Sequence, residues 1–222
     1  MDSFRLGPDG IYRCDAFQHF VWQEHGFGTR TGNPKVDVSL RQVHSNRVLN
    51  ADGLRDREEE GDALITDKTG KSIGIRTADC VPILLLDAKN RAVAAVHAGW
   101  RGTAGEVVKS TIAAMTGRFR SQPEDIHAAL GPCIRGCCYE VGEEVTRKFS
   151  DQFPEWRVED EAMKRHLDLA GINRRQLESS GVHADRIFDS GLCTACQSGQ
   201  FFSYRREPEN PGRMVAAIVR LA

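Results

Sequence analysis

No apolar run in these 222 residues approaches the roughly 20 that a membrane-spanning helix needs; the longest, Val81 to Leu86, has the length of a strand. The opening residues Met1 to Arg13 contain no basic segment followed by an apolar one. No secretory signal is therefore expected, and a cytoplasmic protein with reduced thiols is. Charge of one sign is missing too: 30 basic side chains meet 31 acidic ones, and a formal net charge of −1 gives no global pull toward nucleic acid or an anionic membrane. Internal repeats, low-complexity tracts and a linker-like change of composition are absent. A single domain over residues 1–222 is expected, long enough to bury about 70% of its unfolded surface without disulfides, and a monomer is expected.

What is present is a mixture of short strands and a few helices. Strand signals, rich in β-branched and aliphatic residues, fall at residues 36–43, 63–66, 73–76, 80–87, 92–97, 185–189, 201–205 and 214–221. Ala104, Val107, Val108, Ile112, Met115 and Phe119 keep the rhythm of one buried helical face, and Thr103 with Glu106 three residues later has the pattern of a capping box. Further helices are expected at 142–150 and from Asp168 to Ser180, with Gly181 just beyond the end. The order lacks regular βα alternation. The expected class is α+β, mixed β-sheets with flanking helices. The stretch Asp52 to Gly61, dense in arginine and glutamate, reads as a solvated loop rather than an interaction patch.

Seven cysteines in a reducing compartment call for thiol chemistry or metal binding rather than a disulfide framework. The segments 80–87 and 91–97 are separated so briefly that they must pair antiparallel. Paired symmetrically about the middle of Asp87–Asn90, Cys80 falls opposite His97. Directly opposed side chains have Cβ atoms about 4.5–5.5 Å apart. A thiolate and an imidazole at that spacing can share a metal or form an ion pair; a buried Cys/His pair stays open as well. Gly99 and Gly102 flank Trp100 and Arg101. A helix beginning at Thr103, with Arg101 beside its N-terminus, would make an anion site suited to phosphate. His44 closes an alternating segment and is a third candidate ligand. His19, His25, His127, His166 and His183 read as surface or satisfied core histidines.

Six segments carry a resemblance in order along the chain. They are Gln42-Val43-His44, Gly61 to Thr66, Thr77-Ala78-Asp79-Cys80, His97 to Gly102, Gly131-Pro132-Cys133-Ile134 and Phe201 to Arg206. The sequence resembles the YfiH family, also called polyphenol oxidase or laccase-domain proteins, from about residue 15 to the C-terminus. The resemblance implies a mixed α/β fold related to the catalytic domain of cytotoxic necrotizing factors. It also implies phosphorolysis of adenosine, inosine and methylthioadenosine, with adenosine deaminase activity. The family's His-Cys-His metal site maps onto His44, Cys80 and His97, with Zn²⁺ as the expected ion and copper the other candidate. Purine nucleosides and phosphate are the expected partners, with Gln42, Arg101 and Arg205 as substrate-binding residues. Ser45 stands where a glycine is common in the family, and Pro208 to Pro211 interrupts a usually Gly-rich link.

Two imidazoles and a thiolate around Zn²⁺ leave a fourth position open, the arrangement of a catalytic site, where a bound water can fall to a pKa of about 7. Zinc deaminases of the cytidine type add a glutamate in an H-x-E motif; here Ala98 and Gly99 follow His97, and Asp79 is the candidate for proton transfer. Three other readings stand beside this one. A copper phenol oxidase would use the same His₂Cys set. A metal-free cysteine hydrolase, such as an amidase on peptidoglycan precursors, would use Cys80 as nucleophile and His97 as base. A non-enzymatic zinc protein would combine Cys193-Thr194-Ala195-Cys196 with Cys137 and Cys138. A single C-x-x-C carries little weight, and these thiols read as free and buried.

Overall fold

In the computed structural model, which describes residues 4–154, 165–209 and 212–222, eleven strands form two sheets. They are β1 (Phe4–Leu6), β2 (Tyr12–Cys14), β3 (Gln23–Phe27), β4 (Val48–Asn50), β5 (Ala63–Thr66), β6 (Ile73–Thr77), β7 (Val81–Asp87), β8 (Val93–Ala98), β9 (Ile126–Leu130), β10 (Ile187–Asp189) and β11 (Met214–Arg220). The first sheet has the order β1-β2-β3-β11-β6 and the second β10-β9-β7-β8-β5-β4. The second is mixed: β10 runs parallel to β9 and β4 to β5, while β7 is antiparallel to both neighbours. Four helices accompany them: α1 (Trp100–Ala104), α2 (Val107–Phe119), α3 (Glu143–Gln152) and α4 (Leu169–Ser179). The α+β class expected from the sequence is the class found.

Strand alternation explains the layering. Ile83 and Leu85 of β7, with Ala94 and Val96 of β8, pack under α2 and α4. Their neighbours Leu84, Leu86, Val93 and Ala95 point the other way, into the interface with the first sheet. A strand covered on both faces reads as a continuous apolar run, and β7 is buried at every position. The same alternation sends His97 to the sheet–sheet side, at the far end of β8.

Several local expectations need correction. Residues 36–43 form only isolated bridges, Val38 with Ile73 and Arg41 with Glu60. Their amides are instead divided among Ser72, Glu59 and the Asp56 carboxylate. Residues 201–205 are not a strand, because Arg205 N–H is drawn to the Asp79 carboxylate and Phe201 N–H to Gln197. No continuous helix runs from Thr103. α1 stops at Ala104, Glu106 stands at φ 57°, and α2 begins without a side-chain cap. The Thr103 hydroxyl is buried and accepts from Asn173 Nδ2 at 2.9 Å, so it caps nothing. The hairpin is also shifted: His97 faces Pro82 and Leu86 faces Val93. Arg91 lies inside the turn at φ 56°, and the Asp87 carboxylate accepts from the amides of Lys89 and Asn90. The slip preserves parity, so Cys80 and His97 remain diagonal neighbours at one end of the hairpin.

Candidate metal centre and its cleft

His44, Cys80 and His97 come together, with one ring nitrogen of each histidine and the Cys80 sulfur all within 4.8 Å of one another. Each comes from a different segment. His97 ends β8, and Cys80 lies one residue before β7. His44 sits on the loop before β4, held at φ 60°. Cys80 Sγ is 4.0 Å from His44 Nε2, and the two imidazole rings lie edge to face with centroids 4.9 Å apart. Gly99 leaves room for them: a Cβ there would stand 2.9 Å from His44 Cδ2 and 3.0 Å from Cys80 Sγ.

Asp62, just before β5, organises the centre. It is fully buried. Its carboxylate accepts from His97 Nδ1 at 2.8 Å, from the His44 amide at 3.0 Å, and from the amide and hydroxyl of Ser45 at 2.6 and 2.7 Å. Burial works against the charged form, but the bonds from His97 and Ser45 outweigh it and hold the carboxyl below its ordinary range. With His97 Nδ1 taken, its Nε2 is left for a ligand, the usual second-partner arrangement of a metal-bound histidine. Sequence reasoning quoted Gly61-Asp62 but assigned Asp62 no role. Its signal is an acidic residue directly before a fully apolar strand.

Burial alone would raise the Cys80 thiol. The neighbouring His97 charge and the hydrogen bond from His44 overcome that and bring it to about 6, from an ordinary 9.0. Burial likewise disfavours charged His97, but the Cys80 thiolate and Asp62 raise it to about 9. The donor set thus suits a divalent ion that binds thiolate and imidazole.

The three ligand candidates open onto a cavity of about 710 Å³ whose lining includes Arg57, Arg76, Arg101, Arg205 and Arg213. Asp79 is the one carboxylate among the lining residues. Sequence reasoning named two of those arginines. Arg57 lies in the stretch read as a solvated loop; it is exposed there, stands at φ 56° and also lines the cleft. Arg101 stands with its guanidinium 4.3 Å above the Trp100 ring, and Arg205 lies 5.3 Å from the Tyr139 ring while donating to Glu140 O at 2.8 Å. Trp100, Tyr139 and Tyr204 supply aromatic surface.

Two expected site residues have their polar atoms occupied. Gln42 donates to Arg76 O and accepts from Arg76 N, both at 2.8 Å. The Asp79 carboxylate accepts from Thr194 Oγ1, Ser203 Oγ and Arg205 N at 2.6, 3.0 and 2.7 Å. In this arrangement Asp79, at φ 88° beside Cys80, braces the turn that presents the thiol. The remaining cysteines correct the reading of free, buried thiols in part. Cys14, Cys133 and Cys193 are buried, but Cys137 and Cys196 are exposed. Asn210 and Pro211 of the interrupted link lie outside the described residues.

The family model described as multi-copper polyphenol oxidoreductase laccase matches residues 23–221. A purine nucleoside phosphorylase of Clostridium acetobutylicum is 40% identical, over 94% of this chain and 94% of its own. An adenosine deaminase from an unidentified prokaryote is 40% identical over 82% of this chain and 74% of its own length. Among solved structures, YlmD of Geobacillus stearothermophilus superposes with a TM-score of 0.88 at 29% identity, covering all of both chains. A YfiH protein of Bacillus licheniformis superposes at 0.85 with 25% identity, also over both chains in full.

Proposed function

The chain belongs to this laccase-like YfiH family, and we propose that it is a metal-dependent purine nucleoside phosphorylase with accompanying adenosine deaminase activity. Adenosine, inosine and methylthioadenosine are its substrates. One observation carries the reading: a His-Cys-His set opens into a cleft lined by five arginines and three aromatic rings. It is supported by relatives named for these two activities.

His44, Cys80 and His97 would hold the ion, with Zn²⁺ favoured by a borderline-soft N₂S donor set. A bound divalent ion supplies Lewis-acid polarisation of a substrate oxygen or of water. The arginines have a separate task. In phosphorolysis a phosphate oxygen bonds to C1′ of the ribose while the C1′–N9 bond breaks, and the base leaves with that electron pair. Arg101 and Arg205 hold the anion, the guanidinium fork matching two phosphate oxygens. Trp100, Tyr139 and Tyr204 offer flat faces to the purine. Asp79 and Gln42 act as positioning residues, fixing the turn before Cys80 and the backbone at Arg76.

A second reading has an observation of its own. Asp62, His97 and Cys80 form a chain of carboxylate, imidazole and lowered thiol, which would activate Cys80 as a nucleophile without metal. One experiment separates the two. Purified protein and a Cys80→Ala variant are incubated with adenosine, with and without phosphate. Adenine, inosine and hypoxanthine are separated by chromatography, and metal content is measured on the same samples. Phosphate-dependent adenine that disappears in Cys80→Ala together with one equivalent of metal supports the phosphorylase. Phosphate-independent inosine supports the deaminase alone. A metal-loaded protein that does not turn over adenosine overturns the proposal and favours the hydrolase.

A further inference from the structure

Away from the cleft's ligands, four more cysteines converge. Cys137 and Cys138 follow the loop after β9, and Cys193 and Cys196 follow β10. Their sulfurs all lie within 4.8 Å of one another. Cys137 Sγ is 3.7 Å from Cys138, 3.8 Å from Cys193 and 3.7 Å from Cys196, while Cys138 and Cys196 are 3.3 Å apart. A tetrahedron with metal–sulfur bonds of about 2.3 Å has sulfur–sulfur edges of about 3.8 Å. The measured contacts around Cys137 fall on that value. A disulfide would bring two sulfurs to about 2.05 Å and set the other pair apart.

Core packing accounts for Cys193, which is buried, but not for the exposed Cys137 and Cys196. Cys14 and Cys133 are buried as small apolar side chains, whereas Cys137 and Cys196 are exposed. The backbone is also arranged for a common centre. Cys133 and Cys193 form a parallel bridge, Thr194 N–H donates to Cys133 O at 3.0 Å, and Gln197 N–H closes the Cys193–Cys196 turn on Cys193 O at 3.1 Å.

We propose that Cys137, Cys138, Cys193 and Cys196 form a second metal centre, a closed tetrathiolate site for structural Zn²⁺. Four sulfurs leave no open position, so this ion takes no part in turnover. Its role is to clamp two loops that build the cleft. Ile134 and Tyr139 belong to the first, while Tyr204 and Arg205 follow the second. Between the loops, Arg206 spends its guanidinium on the carbonyls of Thr194, Ala195 and Phe201. The pair Cys137-Cys138 with one C-x-x-C lacks the two-pair signature of a zinc ribbon, so the sequence alone did not favour it.

The test uses full-length Cys80→Ala protein purified without chelator, so that the cleft's own ion is removed from the count. One zinc per chain is expected, with an X-ray absorption ligand shell of four sulfurs at about 2.3 Å. A Cys193→Ser/Cys196→Ser change added to Cys80→Ala should lose that equivalent. Thiol titration of the Cys80→Ala protein should release its zinc as these four cysteines react. Zinc-free Cys80→Ala protein, a mass deficit marking a disulfide among the four, or a shell containing nitrogen or oxygen would overturn the site. None of these readouts depends on nucleoside turnover, so the proposal stands or falls apart from the phosphorylase reading.

Discussion

Asp62 and His97 are joined twice. The Asp62 carboxylate accepts from His97 Nδ1 at 2.8 Å, and the Asp62 carbonyl accepts from the His97 amide at 2.7 Å. The backbone bond fixes the end of β8, and the side-chain bond fixes the ring on it. The same carboxylate gathers the amides of His44 and Ser45, so one buried charge sets two of the three candidate ligands. Asp62→Asn turns one acceptor oxygen into an NH₂ facing donors. Metal affinity should fall about 10–100-fold, the usual cost of losing a ligand's outer partner. Stability should drop by about 1–3 kcal/mol from unsatisfied buried groups. Competition with a chelator and denaturant unfolding measure the two. Unchanged metal affinity would remove Asp62 from the centre.

Cys80 should react as a thiolate well below the ordinary thiol range once the protein is stripped of metal. Burial opposes the charge, but His97 and His44 bring the group to about 6. Alkylation followed by peptide mapping should therefore show the rate rising with pH through about 6. His97→Gln removes the main charge partner and should move that midpoint upward, toward the ordinary 9.0. The sign for folding is the same. The thiolate's contribution is complete above the unfolded value and is lost as pH falls through about 6. A midpoint near 9 in the parent protein would contradict the ion pair. Metal-loaded protein should be protected at every pH.

Gly99 is held to its identity by two candidate ligands rather than by its backbone. Its φ of −76° and ψ of 176° suit any residue, yet a Cβ would press on His44 and Cys80 at 2.9 and 3.0 Å. Gly99→Ala should leave the thermal midpoint near that of the parent while metal affinity falls at least about tenfold, because ligand sites tolerate only about 0.5 Å of displacement. Calorimetry beside metal analysis tests this. A variant that keeps its metal would show that His44 and Cys80 yield freely.

The central sheet was legible because β7 is apolar from Val81 to Leu86 and its return strand follows after a short turn. The register was misjudged by the position of Arg91, whose left-handed backbone has no signature in a non-glycine residue. β1 and β2 span three residues each, too short to show a period. His44, Cys80 and His97 could be named because they sit in recognisable segments. Arg57, Arg76 and Arg213 could not, since nothing local in a surface-like arginine tells that distant loops fold it onto the same cavity. Asp62 escaped for the opposite reason: a lone carboxylate before a strand resembles an ordinary turn residue until its partners, 17 to 35 positions away, are in place.

Arg101 tests the cleft's chemistry. Its guanidinium is stacked on Trp100 at 4.3 Å, which presents the planar fork to the cavity at little entropic cost. Lysine keeps the charge but neither stacks nor binds two oxygens at once. Arg101→Lys should raise the KM for phosphate about tenfold, equivalent to about 1.4 kcal/mol, and leave the KM for nucleoside nearly unchanged. Arg205 is tethered to Glu140 O, so Arg205→Lys should disturb both constants. An unaltered phosphate KM in Arg101→Lys would assign the anion to the other arginines.

His25 sets an acid limit on stability that is independent of the metal centre. Its Nε2 accepts from the Cys14 amide at 2.9 Å and Nδ1 meets Gln23 Oε1 at 3.1 Å, with Phe17 edge-on at 5.0 Å. Burial, helped by the charge of Arg13, lowers the imidazole from 6.5 to about 4. Between those values the unfolded chain binds a proton that the folded chain refuses. Stability is therefore complete above about 6.5 and declines as pH falls toward 4, by up to about 3 kcal/mol from this one group. His25→Gln offers an amide oxygen to Cys14 without a titrating proton. Whatever it costs at neutral pH through the lost contact with Phe17, its stability should fall less steeply from pH 6.5 to 4 than that of the parent. Denaturant unfolding at several pH values measures the two slopes, and equal slopes would mean that His25 stays neutral in the unfolded chain as well or ionises within the fold.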